Sequence, residues 1–133
     1  FYVGEKGVGA YKVLDGEYIK LEAGCEYDVM LLDVGFTIDE CCLSKIINIG
    51  TFRRLGSIII SCMKVAEGIF EGVFDMGKLK ATDVAAAYII IREAGGEVFV
   101  YPREIASNPH VKFIAAKDRR IFDMLMRIYN ECM

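Results

Sequence analysis

The residues that could do chemistry are acids and arginines placed where predicted strands end and predicted helices begin. Asp83 opens a predicted helix, where backbone N–H groups and the positive end of the helix dipole keep a carboxylate ionised. One of its oxygens would then stay free to hold a cation. Asp75 ends a predicted strand eight residues earlier and could face the same crevice beyond the carboxyl ends of the strands. Arg53 precedes a predicted helix start at Gly56 and Ser57, and both arginine and a helix N-terminus suit a phosphate group.

Each of these residues also has an ordinary structural interpretation. Asp83 could simply cap its helix, and Asp75 could be a turn residue. Arg53 and Arg54 could form a solvated charge pair, and His110 is best interpreted as a surface residue of a loop. Residue type and position alone leave these alternatives open.

Composition limits the classes of protein to which the chain can belong. A length of 133 residues suits one domain with a single substantial core. Hydrophobic residues make up 54% and the mean hydropathy is +0.34, so either the core is dense or one face meets another piece of protein. No apolar run approaches the roughly 20 residues that span a bilayer, and a net charge of -3 provides no basic face. We therefore expect neither a membrane nor a nucleic acid as partner.

The cysteines predict free thiols. They are five in number, an odd count with no CxxC pair: Cys25, Cys41, Cys42, Cys62 and Cys132. This pattern favours buried thiols in a reducing, cytoplasmic setting over a disulfide framework or a metal site. The single histidine leaves little from which to build a histidine-based metal cage or a Ser/His hydrolase.

The elements that must position these residues alternate along the chain. Residues 1–24 read as a small antiparallel meander with strands at 1–3, 10–14 and 17–21. Residues 25–133 predict an α/β domain, a layered mixed sheet flanked by helices. Its predicted strands are 27–34, 51–54 (a short strand or loop), 69–74, 97–101 and 111–116. Its predicted helices are 38–49, a three-turn helix after Ser57, one from Asp83 to Ala94 and one after Asp118. A polar loop is predicted at 78–82.

One long stretch resembles a known enzyme family. Arg53 to Gly96 contains, in order, RRLGS, FEGVFDMG, TDVAAA and REAGG. This order and spacing resemble the carboxyl-terminal half of the inositol monophosphatase family, magnesium-dependent and lithium-sensitive sugar and inositol phosphate phosphatases that include fructose-1,6-bisphosphatases. The opening GEKGVGAYKVLDGEYIK is similar to the family's hairpin, so the resemblance reaches across most of the chain.

The resemblance implies a role for each candidate residue. Asp83 would be the family's carboxyl-terminal metal ligand, holding Mg²⁺ against the substrate phosphate, and Asp75 would contact a substrate hydroxyl. Arg53 would be the family's substrate-contacting arginine, and the residues that would line the sugar or inositol side are Gly56, Ser57 and Gly35.

Departures from the family pattern also matter. Thr82 stands where many members have tryptophan, and the loop before Asp83 is one residue longer than in inositol-type members, closer to archaeal dual-specificity phosphatases. The family's Gly-Glu-Glu and Asp-Pro-Ile/Leu-Asp-Gly-Thr motifs do not occur in this sequence. They lie upstream in the family and supply most metal ligands and the threonine that helps to activate water.

The resemblance therefore implies a carboxyl-terminal fragment of a phosphomonoesterase. We expect the fragment to contain no catalytic residue of its own, to hold Mg²⁺ weakly and to be inactive alone. The alternatives are a non-catalytic ligand-binding or interaction domain that kept the fold, and a split enzyme whose first half is a separate chain. Residues 1–24 would belong to the end of the missing amino-terminal domain, and we expect self-association into a homo-oligomer through their exposed surface.

Overall fold

Four helices and eight strands make up the described structure. The structure, a computed structural model, describes residues 1–24, 30–35, 38–102 and 110–133. The strands are β1 (Tyr2–Glu5), β2 (Gly9–Leu14), β3 (Glu17–Lys20), β4 (Leu31–Val34), β5 (Thr51–Arg53), β6 (Gly72–Lys80), β7 (Glu97–Tyr101) and β8 (His110–Ala116). The helices are α1 (Glu40–Ile49), α2 (Ile58–Ala66), α3 (Ala81–Glu93) and α4 (Arg119–Cys132).

Side-chain caps fix the starts of three helices. The Asp39 carboxylate accepts the Cys42 N–H at 2.8 Å, and the Asp118 carboxylate accepts the Ile121 N–H at 2.9 Å. Ser57 caps α2, as predicted. Such caps satisfy backbone donors that have no partner within the helix. Gly68, at φ +79°, follows α2 in the left-handed conformation that a side chain would resist.

The main sheet is mixed, which confirms the predicted fold class. Its strand order is β5-β4-β6-β8-β7. β4 pairs in parallel with β5 and β6, whereas β8 runs antiparallel to both β6 and β7. The described part of the predicted strand 27–34 is thus an interior strand of the sheet, and residues 27–29 lie outside the described residues.

Helices cover both faces of this sheet. Along β6, Val73 packs with buried residues of α2 and α3, and the next residue, Phe74, packs with buried residues of α1 and α4. The alternation follows from the two-residue period of a strand. It divides the core into two clusters, one on each face of the sheet.

The meander β1-β2-β3 forms a second sheet on the outer side of α3. A Cβ on Gly4 would lie 2.8 Å from the Ile90 side chain, so the glycine lets the strand backbone approach the helix. The Tyr2 hydroxyl also donates a hydrogen bond to the Glu67 carboxylate, just beyond α2. The predicted boundary after residue 24 adjoins residues 25–29, which are not described, and it stays a prediction.

Three sequence predictions were wrong. β6 continues to Lys80 through an irregularity between Asp75 and Leu79, because both residues pair with β8, so the polar loop predicted at 78–82 is strand followed by the first turn of α3. The apolar residues on nearly all sides of α2 predict a helix central to the core, but Ile59 and Ile60 are 48% and 53% exposed.

The third correction concerns the cysteines. Cys41 and Cys132 form a disulfide across 91 positions in sequence, whereas the sequence pattern predicts free thiols. Cys42 and Cys62 are buried free thiols, as expected. Cys25 lies outside the described residues.

No helix within the described ranges is both long enough and apolar enough to cross a bilayer.

Candidate functional site

A cleft of about 320 Å³ opens beyond the carboxyl ends of β4 and β6. The two strands are parallel neighbours, and segments that leave parallel strands at their carboxyl ends form crevices at that edge of a sheet. The polar side chains that line the cleft belong to Asp33, Arg54, Ser57, Asp75 and Asp83. The N-terminal turns of α2 and α3 therefore meet the ends of two strands around one volume.

Asp75 lies in this cleft and depends on a glycine. Its Oδ1 accepts the Gly77 N–H at 3.0 Å, and the residue is 4% exposed. A Cβ on Gly35 would lie 1.6 Å from Asp75 Oδ2, so the carboxylate occupies the space that any other residue at position 35 would fill. Burial, with a further contribution from the charge of Asp33, raises the pKa of Asp75 to about 6.

Asp33 is a second buried carboxylate in the cleft, and it is not among the site residues predicted from the sequence. It lies near the end of β4, is 4% exposed and accepts the Leu55 N–H at 3.0 Å. Burial raises its pKa, although hydrogen bonds from Leu55 and Ser61 and the charge of Arg54 oppose the rise. An acidic side chain within a mostly apolar predicted strand, which also contains Asp28, was the signal that could have identified it, because an unpaired charge is not buried without a reason.

Asp83 lies in the first turn of α3 and lines the cleft. The residue that caps α3 is Lys80, whose side chain makes no capping hydrogen bond, so Asp83 is not the plain helix cap that was its alternative interpretation. No hydrogen bond or ion pair joins Asp83 to another residue in the described part of the chain. Its half-buried carboxylate is thus available to a ligand.

Only one arginine of the Arg53–Arg54 pair lines the cleft, and it is Arg54. The Arg53 guanidinium donates to the Phe52 carbonyl at 2.9 Å and is exposed. The charge of Arg54 lowers the pKa of both Asp33 and Asp75, which places a cation beside the two buried acids. The substrate contact that the resemblance implies for Arg53 stays a prediction.

The other predicted residues gather at the same place. Gly35, Gly56 and Ser57 all line the cleft, although the substrate contacts implied for them are not tested by this placement. Its apolar wall includes Ile58 and Ile59 from the start of α2.

The donors present fit a hard divalent cation. Mg²⁺ prefers carboxylate oxygens, keeps several waters and is commonly held by one or two carboxylates together with a phosphate group of the substrate. Among the described residues Asp83 has no partner, so it offers a carboxylate, and Asp75 lies in the same cleft with one oxygen engaged by the Gly77 N–H. The positive end of α3 opposes a cation, so these acids would hold one weakly without further ligands.

Comparison with known proteins points to one family. The sequence model of the inositol monophosphatase family matches residues 30–133. The fructose-1,6-bisphosphatase/inositol-1-monophosphatase of Thermococcus kodakarensis is 30% identical over 140 residues, which cover 98% of this chain and 52% of that protein. The Nus factor SuhB of Haemophilus influenzae is 42% identical over 80 residues, which cover 58% of this chain and 28% of that protein.

Solved structures show the same fold. Mycobacterium tuberculosis SuhB superposes with a TM-score of 0.76 at 22% identity, covering 98% of this chain and 54% of that one. At this identity the likeness concerns the fold alone. The chain spans about half the length of the curated relatives that it matches over nearly its whole length.

Proposed function

The chain belongs to the inositol monophosphatase family, and from that premise we propose that it forms the carboxyl-terminal half of a Mg²⁺-dependent phosphomonoesterase. The substrate would be inositol monophosphate or a related sugar phosphate such as fructose 1,6-bisphosphate. The observation that supports this proposal best is the cleft in which Asp33, Asp75 and Asp83 meet beside Arg54. Carboxylates for a metal ion and a guanidinium for an anion are the groups that phosphate ester hydrolysis needs.

In this proposal Asp83 is a ligand of Mg²⁺. Its carboxylate lines the cleft and has no partner among the residues that the structure describes. A bound Mg²⁺ would supply a Lewis acid for the phosphoryl oxygens and stabilise the charge that develops on them.

Asp75 would orient a substrate hydroxyl. One of its oxygens is held by the Gly77 N–H, and Gly35 leaves room for the other. With a pKa of about 6, the group is mostly ionised at neutral pH and can accept a hydrogen bond from an alcohol. Below that pH it takes up a proton and accepts less well.

Asp33 would act on the segment that carries Arg54, Gly56 and Ser57. Its carboxylate accepts the Leu55 N–H and contacts the Ser61 hydroxyl. That hydroxyl donates to the Ser57 carbonyl at 3.0 Å. These bonds fix the segment at the edge of the cleft, where its arginine can meet an anion.

The isolated chain would be inactive under this proposal. Stabilising the attacking and the leaving oxygen together requires a fuller metal centre than these acids supply. The remaining ligands and the group that activates water would come from the amino-terminal half that the resemblance implies.

Phosphate release tests the proposal directly. The 133-residue chain and a longer protein from the same gene, extended upstream, would be assayed with inositol 1-phosphate and fructose 1,6-bisphosphate, with Mg²⁺ and with chelator. We expect Mg²⁺-dependent turnover by the longer protein alone, and a loss of at least about 100-fold in its Asp83→Asn variant. Asp118→Asn is the matched control, because asparagine also caps α4. Equal turnover by Asp83→Asn and the parent protein would refute the assignment of Asp83.

A second candidate is an interaction domain that kept the fold without catalysis. The meander exposes large apolar side chains, with Leu14 47%, Tyr18 65% and Ile19 49% exposed, and patches of this kind mark contact surfaces. One relative is named a Nus factor. An inactive longer protein that forms a stable complex through this face would favour this candidate, and homo-oligomers in sedimentation would support the expected self-association.

A further inference from the structure

A cluster of thiols and one carboxylate joins the first turn of α1 to the last turn of α4. Its members are Asp39, Cys41, Cys42 and Cys132, none of which lines the cleft. A carboxylate oxygen of Asp39 and the Sγ atoms of Cys42 and Cys132 all lie within 4.8 Å of one another. In a tetrahedral zinc site, with Zn–S bonds of about 2.3 Å, neighbouring ligand atoms are about 3.8 Å apart. A small inward movement of these three side chains would reach that spacing.

The fourth donor is the Sγ atom of Cys41, and the disulfide makes it unavailable to a metal ion together with the Sγ atom of Cys132. Cys132 is bonded to Cys41, so its sulfur cannot bind a metal ion in this oxidised form. Cys41 is exposed, which leaves the bond open to a reductant in solution. Adding two electrons and two protons converts the bond into two thiols and frees both sulfurs beside Cys42 and Asp39.

The electrostatics of the cluster favour a cation. Cys42 is fully buried, and the Asp39 carboxylate lies beside its Sγ atom. A divalent ion would replace the thiol protons and relieve the crowding of anionic groups. The charges of Lys45 and Lys112, which act on Cys42, would offset part of the negative charge of a thiolate-rich centre. Lys45 also pairs with Glu131 at 2.8 Å, beside Cys132.

We propose that the reduced protein binds one Zn²⁺ ion through Asp39, Cys41, Cys42 and Cys132, and that the Cys41–Cys132 disulfide is the alternative, metal-free state of the same cluster. Thiolates select a soft or borderline ion over Mg²⁺, so this centre and the cleft would not compete for one metal. A closed set of four protein ligands is the pattern of a structural zinc site. The site would fasten α1 to α4 whether or not the cleft hydrolyses phosphate esters.

Spectroscopic titration tests this proposal. The 133-residue chain would be reduced with a phosphine, which takes up oxygen from water as it forms phosphine oxide, and then titrated with Co²⁺ under argon. We expect thiolate-to-cobalt charge-transfer bands and tetrahedral visible bands that saturate at one equivalent and disappear when Zn²⁺ is added. Protein that keeps its disulfide should bind at least about 100-fold more weakly.

Single substitutions identify the ligands. Cys42→Ser and Cys132→Ser should each weaken binding at least about 100-fold, and Asp39→Asn at least about 10-fold. Cys62→Ser is the matched control, a buried thiol of α2 outside the cluster, and it should bind Co²⁺ like the parent. Unchanged binding in Cys132→Ser, or binding that is lost in Cys62→Ser, would overturn the proposal.

A measurement on the unaltered chain covers the case in which a variant fails to fold. Zn²⁺ should slow alkylation of Cys41 and Cys132 in the reduced protein, as mapped by mass spectrometry of the labelled peptides. Equal labelling rates with and without Zn²⁺ would contradict the proposal independently of every variant.

Discussion

Replacing Asp75 with asparagine should stabilise the folded chain at neutral pH. Asparagine keeps an oxygen to accept the Gly77 N–H and removes a charge from a side chain that is only 4% exposed. The pKa of Asp75 rises from its ordinary 3.8 to about 6 because burial disfavours the charged form. Each pKa unit corresponds to about 1.4 kcal/mol, so the buried charge lowers the free energy of unfolding by about 3 kcal/mol once it is fully ionised.

The effect has a definite dependence on pH. Between pH 3.8 and about 6 the folded chain holds the proton of the Asp75 carboxyl more tightly than the unfolded chain does. Protonation of Asp75 therefore stabilises the folded chain at lower pH, and this stabilisation is lost as the pH rises through that window. The advantage of Asp75→Asn should therefore be about 3 kcal/mol near pH 7.5 and only about 1 kcal/mol near pH 4.5.

Urea denaturation with chelator present measures this difference at both pH values. Asp118→Asn is the control, since its cap hydrogen bond survives the change, and we expect no comparable gain from it. An Asp75→Asn variant that is equally stable as, or less stable than, the parent near neutral pH would refute the claim that the cleft stores an unfavourable buried charge.

Two further predictions concern buried groups near the sheet. Gly35→Ala should push the Asp75 carboxylate out of its place, because the new Cβ would lie 1.6 Å from Oδ2. The free energy of unfolding should fall by less than about 2 kcal/mol. Urea titrations should also show that the loss of stability with rising pH that is assigned to Asp75 has disappeared. The side chains of Lys117 and Glu71 pair at 2.8 Å and are 3% and 4% exposed. In the same assay, Lys117→Met should lower the free energy of unfolding by about 3–5 kcal/mol, because it leaves the Glu71 carboxylate buried and uncompensated. Adding Glu71→Leu should restore most of the lost stability.

Local signals in the sequence were enough to predict most helices and strands. Ser57 and Asp118 cap helices where the sequence placed caps, because a capping side chain acts on backbone groups only a few positions away. The strand Glu97–Tyr101 has the predicted bounds. Asp75 and Asp83 line one cleft, although Asp75 lies within β6 and not at the strand end predicted for it.

Features that depend on distant partners could not be predicted. β6 continues past Gly77 because β8 supplies hydrogen-bond partners, and nothing within the segment itself signals that pairing. Likewise, Cys41 meets Cys132 only after α1 and α4 pack on the same face of the sheet. Asp33 was missed for a different reason: residues 27–34 were interpreted as a continuous apolar run, and the two acids within it were passed over.

The Cys41–Cys132 crosslink has a mechanical consequence. It closes a loop across 91 positions, so a pulling force applied at the two ends of the oxidised chain acts mainly on the residues before Cys41. About 40 residues at about 3.5 Å each extend by about 140 Å, roughly a third of the reach of the uncrosslinked chain. In optical tweezers, the oxidised chain would therefore give a short rip that extracts the meander and β4, while the elements between Cys41 and Cys132 stay shielded from tension. Adding a reductant to the chamber would lengthen the rip.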